Sequence, residues 1–276
     1  MHATVAGAER LLRRPLPFAG GGARHKVGLR PIDPEDWLEL TGDDVAGQLQ
    51  EKGRVLDSHR GAVLAALPGS QEACLELLEL VRDAARDQPP VFVPAGCHPL
   101  EEAGRLVPED FCVHLPDPDT GLLTLVAGCV AFPNRWTLAD KLGRAVTSVH
   151  APVPDYAPQL GRPVERLMDR LPSERLMERS NWGVVGDGEL FRPGWRGIGD
   201  ERWLRIERQT LRRLPSSGAV VFTIRTLLAP LEILLTDPEA AGLLAQAIRE
   251  LPEGVAGYKL GPPAARQSLL EWLAAT

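Results

Sequence analysis

His150 stands in the stretch SVHAPVPDY, Ser148–Tyr156, where Pro152 and Pro154 follow it with one residue between them. Proline fixes φ and turns the residue before it away from the α region, so the chain leaving His150 is extended and stiff. An imidazole held on one bearing suits a metal ligand, although a lone histidine is more often structural or exposed. The other histidines have no comparable setting. His2 and His25 lie in a polar head, His59 is on a helix surface beside Arg60, His98 follows Cys97 in a loop, and His114 is on a candidate strand. There is no HExxH, no close histidine pair and no GxSxG. Cys74, Cys97, Cys112 and Cys129 lie far apart with no CxxC, which argues against an iron–sulfur cluster or structural zinc within the chain. The glycines at 20–22 lack the lysine of a phosphate loop.

A second chemical signal is Arg225, in the apolar run GAVVFTIRTLLAPL. Strand alternation puts Val220, Phe222 and Ile224 on one side and Val221, Thr223, Arg225 and Leu227 on the other. A guanidinium there needs an anion. Glu207, in LRIERQTL, is the protein carboxylate expected to supply it; a bound carboxylate or phosphate is the alternative.

These residues require elements to position them. Asp33 followed by Pro34 reads as a helix start, and Asp43 or Asp44 as the cap of a longer helix running toward Leu67. Ser70 opens a third helix with Cys74, Leu75, Leu78 and Val81 on its apolar stripe. DFCVHL and LLTLVAGCVAF, joined by PDPDTG, form a hairpin. TLADKLGR reads as a short helix capped by Thr137, and helical spacing resumes through Val164, Leu167, Met168 and Leu171, interrupted at Pro163. NWGVV, WLRIERQTL and GAVVFTIRTLL are strands, with RRLPSSG turning between the last two; two helices close the chain, one opened by Asp237–Pro238 and one ending near Trp272. The reading is an α+β fold, a mostly antiparallel sheet flanked by N- and C-terminal helices. Residues 1–27 are expected to be a loosely ordered segment and residues 28–276 a single domain.

The chain has 276 residues, 44% apolar and 25% charged, the balance of a globular protein. Its net charge of −6 offers no general attraction to nucleic acid or anionic lipid. No secretory signal and no apolar run of membrane-spanning length is seen, so a cytoplasmic protein with reduced thiols is expected.

Several segments, in order, resemble the haem-dependent oxidative N-demethylases. They are Gly28–Trp37 (GLRPIDPEDW), PEDFC at 108–112, FPNRWTLADKLG at 132–143, VHAPVPDY at 149–156, RSNW at 179–182, and LRIERQTLRRLPSSGAVVFTIRTLL at 204–228. The resemblance implies a haem b (iron) in a PAS-like α+β fold. It also implies a monooxygenase that converts a small secondary amine such as dimethylamine, with O2, to a shorter amine and formaldehyde. Electrons would come from separate flavin and iron–sulfur reductase subunits, since neither centre is encoded here. A haem-based sensor or a haem-binding protein without demethylase activity is the alternative. Within the resemblance, His150 becomes the expected axial ligand, ahead of His114 and His98. Arg225, Arg208, Arg179 and Thr223 are the expected cofactor contacts, the arginines for the propionates. Glu207 and Asp110 are the matched acids, and Trp182 and Tyr156 the matched aromatics, for holding an ammonium substrate. The chain departs from the family pattern at Leu227, where the family carries tyrosine, and at Pro108 and Gly183; these departures bear on which amine is accepted.

Overall fold

The computed structural model describes residues 11–12, 16–19, 28–149, 161–194, 196–198 and 201–275. Its centre is a seven-stranded sheet in the order β1-β5-β6-β7-β3-β4-β2. The strands are β1 Arg30–Ile32, β2 Leu64–Ala66, β3 Asp110–Pro116, β4 Leu123–Cys129, β5 Leu176–Val185, β6 Trp203–Arg213 and β7 Val220–Pro230. Every pairing is antiparallel. The helices are α1 Val45–Val63, α2 Gln71–Ala84, α3 Pro99–Leu106, α4 Val146–Val149, α5 Arg162–Asp169, α6 Pro238–Glu250, α7 Glu253–Leu260 and α8 Pro263–Ala274.

Alternation divides the sheet into two faces with different cover. On the first face, Phe111, Val113, Ala127, Cys129 and Val221 pack under α1–α3. At the other end of that face, Trp182, Leu204, Ile206, Leu227 and Ala229 pack under α6–α8, together with Leu11 and Phe18. On the second face, Leu211, Val220 and Leu123 meet Val146 of α4 and Met168 of α5, while Cys112 and Leu125 meet Val130 and Leu138. The expected α+β class holds, with helices on both sides of an antiparallel sheet.

Local chemistry explains most elements. In the β3–β4 turn the Asp117 carboxylate accepts from the amides of Asp119 and Thr120 at 3.2 and 2.9 Å. Gly121 there, at φ 70°, takes a conformation that a side chain resists. In α2 the buried stripe is Cys74, Leu77, Leu78 and Val81, and Leu75 is 46% exposed. Leu75 therefore does not belong to the apolar face; a period of 3.6 residues carries that face from 74 to 77–78 and then 81.

Four expectations are corrected. Asp33–Pro34 opens only a 3-10 turn, Pro34–Asp36. The long helix stops at Val63, because Leu64–Ala66 turns extended and pairs with β4 as an edge strand. Thr137 does cap, accepting from the Asp140 amide at 3.3 Å, but onto a hydrogen-bonded turn rather than a helix. The chain closes with the helices α6, α7 and α8, the break between α6 and α7 falling at Pro252.

Candidate functional site

The arginines of the long matched block are split by strand alternation. Arg225 pairs in register with Arg208, and Glu207 with Thr226, so Glu207 and Arg225 lie on opposite faces. The expected Glu207–Arg225 pairing is therefore wrong, and the anion comes from elsewhere. Arg225, fully buried, donates through Nη2 to Asp44 Oδ2 at 2.6 Å and through Nη1 to Gln48 Oε1; its Nε is 3.9 Å from Glu39. Asp44 occupies the N-cap position of α1 but makes no capping bond, its carboxylate turning instead to the sheet. Arg208 donates to Glu178 Oε2 at 2.6 Å and to the carbonyls of Trp37 and Asp36. Thr223 shares a 2.6 Å hydroxyl hydrogen bond with Thr210. Protein carboxylates thus answer both guanidinium groups on the first face.

Asp110 is equally occupied. It is fully buried, accepts from the amides of Ala131 and Phe132 at 3.0 and 2.8 Å, and forms an ion pair with Lys52 Nζ at 3.2 Å. Lys52, itself fully buried, also donates to the carbonyls of Val107, Pro108 and Glu109. Trp182 packs edge-on against Phe18 in the α6–α8 core.

The second face carries the open chemistry. Glu207, on the middle of β6, accepts from Arg205 Nε at 3.0 Å and from Gln209 Nε2 at 3.1 Å, with Asn181 Nδ2 at 3.5 Å. Arg205 also donates to the Phe132 carbonyl at 2.6 Å and to Thr226 Oγ1 at 3.1 Å. That carbonyl belongs to the loop after β4, which leads to Arg135. There the backbone takes φ 66°, the left-handed region, and the guanidinium donates to the carbonyls of Tyr258 and Lys259 in the last turn of α7. A cation at a helix C-terminus answers unpaired carbonyls and the negative end of the dipole. From α7 Lys259 reaches the strand edge, donating to Asn181 Oδ1 at 2.9 Å and to the Trp182 carbonyl at 2.7 Å.

The electrostatics of this cluster are lopsided. Burial lowers Lys259 to about 8, Arg179 and Arg135 adding repulsion and Glu207 opposing it. Burial likewise lowers Arg135 to about 10, with Arg192 and Arg205 contributing. Phe222 on the central strand β7, and Trp136, keep partial exposure and pack against the Cys112, Leu125, Val130 and Leu138 cluster of the same face.

Of the remaining expectations, Arg179 lies on this face, by register with Gln209. His150 and Tyr156 lie outside the described residues; α4, ending at Val149, packs on the second face through Val146. The other ring and thiol groups are otherwise engaged. His98 Nδ1 accepts from the Leu100 amide at 3.2 Å as the N-cap of α3, and His114 Nδ1 contacts the Val220 carbonyl at 3.2 Å. Burial pushes the thiols of Cys112 and Cys129 up to about 12 each. Sequence reasoning missed Lys259, Arg135, Asn181 and Tyr258. Arg135 and Asn181 stand inside quoted matched segments, but only the fold shows them converging on α7. Nothing in GVAGYKL marks its lysine.

The described residues form an antiparallel α+β fold with cations grouped around Glu207 on one sheet face. The family model for haem-dependent oxidative N-demethylase, alpha subunit-like, matches residues 84–268, about two thirds of the chain. The chain belongs to that family, whose name is that of an oxidoreductase enzyme. Haem, which the family name implies, would need apolar side chains for the porphyrin and cations for its propionates. Arg135, Arg179, Arg205 and Lys259, grouped around Glu207, are of the type that would hold the propionates. No described helix is long and apolar enough to cross a membrane.

Proposed function

We propose that the protein is the haem b-bearing catalytic subunit of an oxidative N-demethylase. It takes a small secondary amine such as dimethylamine to a shorter amine and formaldehyde. The balance per turnover is one O2, two electrons and two protons consumed, with one oxygen atom ending in formaldehyde and the other in water. The electrons come from separate flavin and iron–sulfur partners, since Cys74, Cys112 and Cys129 are buried free thiols with no cluster spacing. Bound haem supplies O2 activation, and everything else falls to the chain. His150, which precedes Pro152 and Pro154 in the sequence, would hold the haem iron in this reading. The cations of the second face hold the propionates, and of them Arg179 is retained from the sequence expectation. Glu207 is carried forward as the acid facing the amine, because Asp110 is engaged by Lys52 and two backbone amides. Tyr156 remains an aromatic candidate for the ammonium.

The observation that carries this reading is the family match together with an acid-seeking second face. The test is the absorption spectrum of the purified protein with added haem, before and after His150→Ala. A Soret band in the wild type that changes position or intensity in the variant is expected. An unchanged variant spectrum rejects His150, and no Soret band in the wild type rejects the haem. Formaldehyde release from dimethylamine with a surrogate reductant then separates a demethylase from a haem sensor.

A further inference from the structure

Lys259 differs in its setting from Lys52. Lys52 is sealed beside a carboxylate, whereas Lys259 donates to neutral oxygens, the Asn181 side chain at 2.9 Å and the Trp182 carbonyl at 2.7 Å. Its ammonium also stands 4.7 Å from the centre of the Trp182 ring. An ammonium has three N–H groups, and these hydrogen bonds use two. Neutral acceptors aim the group without cancelling its charge. The principal charged neighbours are Arg179 and Arg135, which repel it, and Glu207, whose carboxylate Arg205 already engages at 3.0 Å. Arg135, donating to the carbonyls of Tyr258 and Lys259, fixes the helix turn from which the lysine projects.

We propose that Lys259 is a carboxylate-binding residue at the β5 edge of the second face, its ammonium aligned by Asn181 and the Trp182 carbonyl to take a ligand carboxylate as its third partner. The carboxylate has two possible sources: a haem propionate, which rests on the haem reading above, or an acid group carried by the amine substrate. Either gives the site a proton linkage. In the ligand-free protein burial and the flanking arginines lower the lysine to about 8. A bound anion raises it again, so binding near pH 8 takes up a proton and weakens as pH rises further. Arg179 and Glu207 from the sheet and Arg135 from its loop are the charged groups that face it.

The experiment is a spectroscopic titration of the apo-protein with haemin and with haemin dimethyl ester, whose propionates are masked. It is run at pH 7 and pH 9 on the wild type, Lys259→Met and Lys259→Arg. Calorimetric titration of the same proteins with N,N-dimethylglycine forms the second arm. Haemin affinity reduced ten-fold or more by Lys259→Met at pH 7, with ester affinity unchanged, supports the proposal with propionate as the source. Lys259→Arg then keeps its haemin affinity at pH 9 where the wild type weakens. Unchanged haemin affinity with loss of N,N-dimethylglycine binding supports it with substrate as the source. Equal weakening of haemin and ester, or no change with either carboxylate, overturns it. Absence of a Soret band in the wild type with both porphyrins overturns the haem reading alone, and the N,N-dimethylglycine arm then decides the lysine.

Discussion

Replacing Lys52 by methionine tests the claim that Asp110 is a structural acid. The lysine and aspartate side chains are both fully buried and 3.2 Å apart. Burial raises the Asp110 carboxyl above its ordinary value, and Lys52 with the amides of Phe132 and Ala131 pulls it back. Methionine preserves the alkyl stem and removes the ammonium, so the carboxylate keeps only its two amide donors. Breaking a buried pair on one side costs about 3–5 kcal/mol. Asp110→Asn is gentler, about 1–3 kcal/mol, because the carbonyls of Val107, Pro108 and Glu109 still solvate Lys52. In the double variant Lys52→Met/Asp110→Asn no charge is left uncompensated, so its loss falls about 2 kcal/mol short of the sum of the single losses. Urea unfolding followed by circular dichroism and by tryptophan fluorescence gives these differences, with coincident transitions required before a free energy is extracted. Strict additivity, or a Lys52→Met loss under about 1 kcal/mol, refutes the reasoning. Turnover per bound haem unchanged in Asp110→Asn is the matching functional outcome; a collapse of turnover with haem content intact would make Asp110 catalytic.

Other outcomes follow from the same geometry. Gly104→Ala places a Cβ 2.4 Å from Cys129 Sγ, so α3 must shift and thermal unfolding should show a loss of about 1–3 kcal/mol; Gly242→Ala, with nothing within 4 Å of the added atom, serves as the permissive control. Leu77→Ala, in the fully buried stripe of α2, should cost about 2–5 kcal/mol, while Leu75→Ala at 46% exposure should stay within about 0.5 kcal/mol on urea titration. For the apo-protein, Lys259 titrates at about 8 against an ordinary 10.5. Between those values the unfolded chain holds the proton more tightly, so this group's contribution makes stability rise with pH. Comparing wild type with Lys259→Met from pH 8 to 10.5 by thermal melts should show that rise in the wild type only.

The sheet was readable because its strands carry their own punctuation. PDPDTG and RRLPSSG bracket apolar runs of the right length, and the structure turns at both places. The edge strands were not readable: Arg30–Ile32 and Leu64–Ala66 are three residues each, too short for alternation to show, and exist because longer neighbours offer open edges. Gly257 leaves α7 no conspicuous amphipathic stripe, so the sequence shows two closing helices where the structure has α6, α7 and α8. At the candidate site, residue types were legible and partners were not. A guanidinium in an apolar strand announces that it needs an anion, but Asp44 lies 181 positions from Arg225, and no spacing rule reaches that far.

Alternation in one block, residues 204–228, explains the division of labour between the faces. Positions 208 and 225 point into the cover of α1, where carboxylates from Glu39, Asp44 and Glu178 meet them. Charge in that layer must be balanced internally, since Arg208 and Arg225 are buried and each unpaired ion would cost several kcal/mol. Positions 205 and 207 point the other way, beneath a loop and a helix end whose contributions are cationic or neutral, Arg135, Lys259 and carbonyl groups. On that side Glu207 pairs with Arg205, and Arg135 and Lys259 stand around it. Under the proposal above, this group, with Arg135 held at an unfavourable φ, is a preorganised receptor for an acid. Arg135→Gly makes the distinction measurable. If the φ strain only served packing, glycine would relieve it and stability would hold or rise. If the guanidinium holds α7 and Lys259 for an acid, haemin affinity should fall at least ten-fold while dimethyl ester affinity does not.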